Sequence, residues 1–234
     1  MNSADKIIIG SLLFPGLDQA DFTGPLAVLS RLTHTEIHLL GKQKGPLRDQ
    51  RGLVLTAETT LAESPQLDVL HVPGGIGQQA LMDDEEVLDF IREQAKKARY
   101  VLGVCTGALI CGAAGLLKGR RATTHWASFD LLSFFGAIPA NERVVIDGNL
   151  ITTAGVTGGI DGALRLAALL RGDAAAQGIQ LFMEYAPQPP FNSATPATAP
   201  AAVLAAALEA GRDLHAARLE TARAIGRKIG VNVA

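Results

Sequence analysis

The chain has 234 residues, 48% of them hydrophobic and 19% charged, with a formal net charge of −2. That apolar content fills one substantial core without requiring two, and the near-neutral charge supplies no broad basic face, so no nucleic acid partner is expected. Cys105 and Cys111, the two cysteines, make no disulfide framework, no CxxC pair and no Cys/His cluster, so a cytoplasmic protein without metal is expected.

The first residues, MNSADK, lead into Ile7 without a basic segment ahead of a long apolar run. No stretch approaches the ~20 apolar residues of a membrane helix, so neither a signal peptide nor a membrane partner is expected. Lys6 to Phe14 is predicted as a buried strand that stops at Pro15-Gly16. A helix is predicted from Phe22 to Leu32, with Gly24-Pro25 at its start, where proline is tolerated. Short strands follow at Glu36 to Gly41, Leu53 to Thr59 and Asp68 to Val72. Asp83 to Arg99 is predicted as an amphipathic helix with acidic residues in its first turn. A strand from Tyr100 to Val104 precedes a helix from Thr106 to Leu117. Arg121 to Thr124 is extended, and Ser128 to Phe135 is helical. Val144 to Ile146 and Leu150 to Thr153 flank Asp147-Gly148-Asn149, a hairpin signal. Two helices follow, Thr157 to Leu170 and Asp173 to Tyr185. Pro187 to Pro200 is an extended loop, and Ala201 to Ile229 a terminal helix. The alternation of strand and helix predicts an α/β fold, a mostly parallel sheet sandwiched by helices.

Three segments carry candidate chemistry. In VLGVCTGALICGAAGLLKGRRATTHW, Cys105 sits between a strand and a helix, with Gly103 and Gly107 leaving room around it. Such a turn can force its residue into a sparsely allowed conformation and push the side chain into a cleft. The helix N-terminus beside it favours negative charge, which would lower the thiol pKa. The competing reading is a buried small hydrophobe, as free cysteines often are. Cys111, mid-helix, reads as core. In FPGLDQADFTGP, Asp18 and Asp21 follow the first strand, and ligands gather at the carboxyl ends of parallel strands. Asp21 reads either as a general acid or base near the thiol or as the helix N-cap. In HVPGGIGQQAL, glycines after a strand expose backbone N–H groups, making Gly75 and Ile76 candidate oxyanion donors; no GxxxxGK[ST] phosphate loop is present. His125 and Trp126 read as a pocket wall, with His125 as base the lesser alternative.

Taken together, these segments resemble the ThiJ/PfpI superfamily, whose fold is like that of class I glutamine amidotransferases. The resemblance runs from Ile8 to Phe191 through LLFPGLDQADFTGP, VPGG, GVCTGALICGAAGLLKGRRATTHW, ITTAGVTGGIDGAL and LFMEYAPQPPF. ATTHW and the last two motifs are similar to a branch that holds isonitrile hydratases and the sensor domains of AraC-type regulators. The resemblance implies a flavodoxin-like fold, a homodimer, a small-molecule substrate, and neither metal nor organic cofactor. It implies Cys105 as nucleophile, Thr106 beside it, and Asp21 where other superfamily members carry glutamate. The reaction implied is hydration of an isonitrile to an N-substituted formamide through a thioimidate on Cys105, with Asp21 as general acid and base. A glyoxalase- or deglycase-like enzyme and a non-enzymatic ligand- or oxidation-sensing domain are the alternatives. The regulators add a helix-turn-helix domain, for which the Ala201 to Ile229 segment is too short. The expected organisation is a catalytic unit over 1–190, then a loop and helix over 191–234 that packs on it or at a dimer interface.

Overall fold

The computed structural model describes residues 6–231; the expectations for the first five and last three residues lie outside the described residues. In chain order the elements are β1 (Ile7–Leu12), α1 (Gln19–Leu29), β2 (Thr35–Gly41), β3 (Gly45–Arg48), β4 (Val54–Ala57), β5 (Thr59–Thr60), β6 (Val69–Val72), α2 (Gln78–Leu81) and α3 (Glu85–Ala95). There follow β7 (Tyr100–Val104), α4 (Gly107–Ala113), β8 (Arg121–Ala122), a 3-10 segment (Trp126–Phe135), β9 (Ile138–Pro139), β10 (Val144–Asp147), β11 (Leu150–Thr153), α5 (Gly158–Arg171), α6 (Asp173–Phe182) and α7 (Ala201–Lys228).

The central sheet has seven strands in the order β10-β11-β7-β6-β1-β2-β5. All neighbours run parallel except β10, which pairs antiparallel with β11 across the expected hairpin. β1 is apolar along nearly its whole length because helices cover both faces. Ile7 and Ile9 enter one core with Val28, Leu29, Leu102 and Leu166. Leu12 enters the other with Val72, Leu88, Ile91, Leu109 and Phe135. The chain places β2 on one side of β1, then returns to place β6 and β7 on the other. The sheet order reverses there, and crevices for ligands form at such reversals, outside the carboxyl ends of the strands.

Several elements depart from the sequence reading. Helix α1 begins at Gln19 rather than Phe22, because the Asp18 carboxylate accepts the N–H groups of Ala20 at 2.9 Å and Asp21 at 3.4 Å. Pro25 therefore lies inside the helix. The expected strand from Leu53 to Thr59 is divided. Val54–Ala57 pairs with Gly45–Arg48 in a separate two-stranded hairpin, and Thr59–Thr60 joins the main sheet beside β2. The expected helix from Ser128 to Phe135 is a 3-10 segment, entered where His125 Nδ1 accepts the Ala127 N–H at 3.3 Å. Its Ser128, Leu131, Leu132 and Phe135 are buried. Helix α7 packs against this segment through its second half, where Arg218, Ala222 and Ile225 are buried.

Candidate active site

The loops after β1, β6 and β7 meet at the reversal. Cys105 directly follows β7 with φ at +54°, a region that costs a side-chain-bearing residue about 1–3 kcal/mol and that only surrounding structure sustains. Its own N–H is held by the carbonyl of Thr153 at 3.2 Å, because Val104 is in register with Thr153 on β11. The Thr124 hydroxyl donates to its carbonyl at 2.7 Å. With both backbone groups fixed, the side chain has a single direction. The backbone N–H groups of Val156 and Thr106 face the sulfur and favour its anion. Val156 is itself at φ +33°, so two strained residues converge on Sγ.

Asp21 lies in the first turn of α1, fully buried. The N-cap reading of Asp21 is corrected: Asp18 is the cap. The carboxyl Oδ2 accepts the Gly74 N–H at 3.0 Å. Cys105 is close enough to lower its pKa, and Oδ1 has no hydrogen-bond partner among the described residues. Gly74 is required here: a Cβ would lie 2.5 Å from Thr106 Oγ1 and 2.8 Å from Asp21 Oδ2. The loop after β6 thus threads between the acid and Thr106.

The proline inside α1 explains a further residue. Pro25 has no N–H, so the Asp21 carbonyl lacks its helical donor. His71 Nε2, at 3.1 Å, donates to that carbonyl instead. Burial pushes the His71 pKa down to about 4, so the ring is neutral with its proton on Nε2. Nδ1 then accepts from the Ser11 hydroxyl at 3.1 Å. Ser11 and His71 are register partners on β1 and β6, and Phe22 stacks on the imidazole with ring centroids 6.1 Å apart. His71 anchors the acid through its backbone. Sequence reasoning missed it, although the Pro25 that orphans the carbonyl and the inward-facing histidine before Pro73-Gly74 were both visible.

Electrostatics differ from the expectation of an intrinsically acidic thiol. Cys105 is 5% exposed. Burial first, then the Asp21 charge, push its pKa up, and the two N–H donors oppose them. Burial and then Asp18 push Asp21 up from 3.8 to about 7, while the Gly74 N–H and Cys105 pull it down. Buried groups this close resist carrying two negative charges, so the pair keeps at least one proton across the neutral range. The α4 N-terminus acts on the sulfur through the Thr106 N–H, and the loop before α5 adds that of Val156, but desolvation is larger.

The remaining predicted residues divide. The Thr106 hydroxyl accepts the Gly75 N–H at 3.1 Å and donates to the Gly75 carbonyl at 3.3 Å, so it braces the glycine loop rather than Asp21. The two expected oxyanion donors are engaged within the protein: Gly75 N–H with Thr106, and Ile76 N–H with Gln50 Oε1 at 3.2 Å. His125 packs tilted against Trp126 with ring centroids 5.4 Å apart, and both line a cleft of about 940 Å³ together with Leu204, Leu208 and Arg218. Burial holds the His125 pKa down. Arg218, from α7, was also missed; nothing near it in sequence marks it as part of the site. No group of His, Cys, Asp and Glu among the described residues is arranged to hold a metal ion, and none of their helices is long and apolar enough to cross a membrane.

Comparison with known proteins agrees with this geometry. The sequence profile of the DJ-1/PfpI family matches residues 6–169. The chain is 56% identical over 196 residues to the isonitrile hydratase of Pseudomonas putida, covering 84% of this chain and 86% of that one. It is 31% identical over 169 residues to the HTH-type transcriptional regulator CdhR of Pseudomonas aeruginosa, covering 69% of this chain and 50% of the regulator. A crystal structure of a ThiJ/PfpI family protein from Pseudomonas syringae superposes with a TM-score of 0.91 at 40% identity, covering 93% of this chain and 91% of that chain. The profile match, the sequence relatives and the superposed structure agree, and the chain belongs to the DJ-1/PfpI family.

Proposed function

We propose that this protein hydrates isonitriles to N-substituted formamides. The observation that carries the reading is the Cys105 thiol, fixed at φ +54° beside the buried Asp21 carboxyl. The similarity to the Pseudomonas putida isonitrile hydratase supports the substrate class.

An isonitrile is electrophilic at its terminal carbon. The reaction needs a nucleophile for that carbon, a proton donor to the same carbon, and a base for water. In the proposed sequence the Cys105 sulfur bonds to the carbon while the pair's proton passes through Asp21 to it, giving a thioimidate and the Asp21 carboxylate. That carboxylate takes a proton from water as the hydroxyl adds to the carbon, then passes it to the substrate nitrogen. The adduct collapses as its hydroxyl proton returns to Asp21 and the carbon–sulfur bond breaks, releasing formamide and restoring the pair. One carboxyl group alternates between acid and base, which suits an Asp21 pKa moved to about 7. The Thr106 and Val156 N–H groups stabilise the sulfur as anion and leaving group. The cleft beside Trp126 and Leu208 suits an apolar N-substituent.

The test is turnover of cyclohexyl isonitrile, with methylglyoxal as a parallel substrate and Cys105→Ala as control. Formamide production, lost in Cys105→Ala, with a mass adduct on Cys105 of the wild type, is the expected outcome. Conversion of methylglyoxal alone would replace this reading with a glyoxalase one.

A further inference from the structure

Helix α7 brings a buried cation into the site from more than a hundred residues away. Arg218 is 7% exposed. Its Nη2 donates to the Gly75 carbonyl at 3.0 Å, the same oxygen that accepts from Thr106, and its Nη1 approaches Ser128 Oγ at 3.4 Å. Its Nε is buried without a partner among the described residues. No carboxylate of the described residues forms an ion pair with it, whereas Arg212 on the same helix pairs with Glu209. A buried guanidinium without a carboxylate needs a compensating charge nearby.

The surroundings offer few sources. The titratable and charged groups around Cys105, Asp21 and Arg218 are Asp18 from the start of α1, His71 from β6, His125 ahead of the 3-10 segment, and Asp130 of that segment, which pairs with His215 of α7 at 3.3 Å; Glu209 and Arg212, paired with each other on α7, line the same cleft. Asp18 is a carboxylate whose oxygens are turned to the α1 cap and to Gln50, and it makes no ion pair with Arg218. His71 is neutral. His125 accepts an N–H through Nδ1 and is also neutral. On α5, Asp161 is paired with Arg143, and on α4 the other thiol, Cys111, is sealed in the core. Arg218 reaches the pair through the glycine loop: the Gly75 carbonyl it holds follows Gly74, whose N–H binds the Asp21 carboxyl at 3.0 Å.

We propose that Arg218 is a positioning residue of the active site: it is the counter-cation that lets the Cys105–Asp21 pair hold one negative charge, and it clamps the Gly75 carbonyl so that Thr106 keeps the glycine loop in place. The C-terminal helix is on this account part of the reacting unit. The charge and the clamp are separable, because lysine keeps the former and glutamine can keep only the latter.

The experiment reads the thiol without any substrate, so it stands or fails independently of the isonitrile reading. The rate of iodoacetamide alkylation at Cys105 is followed against pH by peptide mass in the full-length wild type, Arg218→Gln and Arg218→Lys. Loss of a nearby cation disfavours the anion, so the midpoint in Arg218→Gln is expected to rise by about one pH unit, with alkylation about tenfold slower below it. Arg218→Lys is expected to restore the wild-type midpoint. Arg218→Met substitutes for the glutamine variant if that variant does not fold. An unchanged midpoint in the neutral variant, or an equal rise in Arg218→Lys, overturns the proposal. A purely structural role would lower the melting temperature of the variants without moving the midpoint.

Discussion

Replacing Asp21 by asparagine separates what this carboxyl does for catalysis from what it costs the fold. The folded protein holds Asp21 at about 7 instead of 3.8, chiefly by burial. Below pH 3.8 the group is neutral in both folded and unfolded chains, and stability is unaffected. Between 3.8 and about 7 the unfolded chain has released the proton while the folded chain keeps it. Stability therefore falls as pH rises through that window and stays reduced above it. At ~1.36 kcal/mol per pH unit the full penalty is about 4 kcal/mol. Asparagine keeps the oxygen that accepts the Gly74 N–H and cannot ionise. The difference in unfolding free energy between Asp21→Asn and wild type should therefore grow by roughly 4 kcal/mol in favour of the variant from pH 3.5 to pH 8. Urea unfolding at the two pH values measures it. The same variant should lose at least ~10²-fold in turnover, the lower end of what general acid–base catalysis contributes. A stability difference that is the same at both pH values would refute the claim that this carboxyl is desolvated in the folded state. Undiminished turnover would remove Asp21 from the proton transfers.

Other substitutions test the framework around the pair. His71→Phe preserves the ring packing on Phe22 but leaves the Asp21 carbonyl without a donor; a loss of about 1–3 kcal/mol in urea unfolding is expected, and no loss would show that the bond is dispensable. Gly74→Ala places a methyl group 2.5 Å from Thr106 Oγ1 and 2.7 Å from Thr106 N, so kcat for isonitrile should drop tenfold or more as the loop is pushed off Asp21, with wild-type kcat as the contrary result. Val156→Gly relieves a β-branched residue at φ +33° but frees the N–H that faces the sulfur. Its melting temperature should hold or rise while turnover falls, and a clear drop in melting temperature would contradict the reading of strain there.

The sequence by itself determined the layers and the place of the chemistry. An apolar run such as Ile7 to Leu13 can be buried only between two helix-covered faces. Glycines at 103 and 107 around Cys105 mark a tight strand-to-helix turn, because such signals depend on period and local backbone freedom and survive without knowledge of distant residues. Tertiary structure decided where local rules compete or where many distant groups add. Pro25 reads as a helix start, yet it sits inside α1 because His71, carried by another strand, supplies the missing donor. The apolar and threonine-rich run from Leu53 to Thr59 satisfies strand patterning throughout, and only the available edges divided it between β4 and β5. The expected low pKa of Cys105 came from one local effect, the adjacent helix N-terminus, whereas its actual surroundings sum burial and a carboxylate from another loop. Arg218 gave no signal at all, since a charged residue on an Ala-rich helix looks solvated until that helix packs its second half over the site.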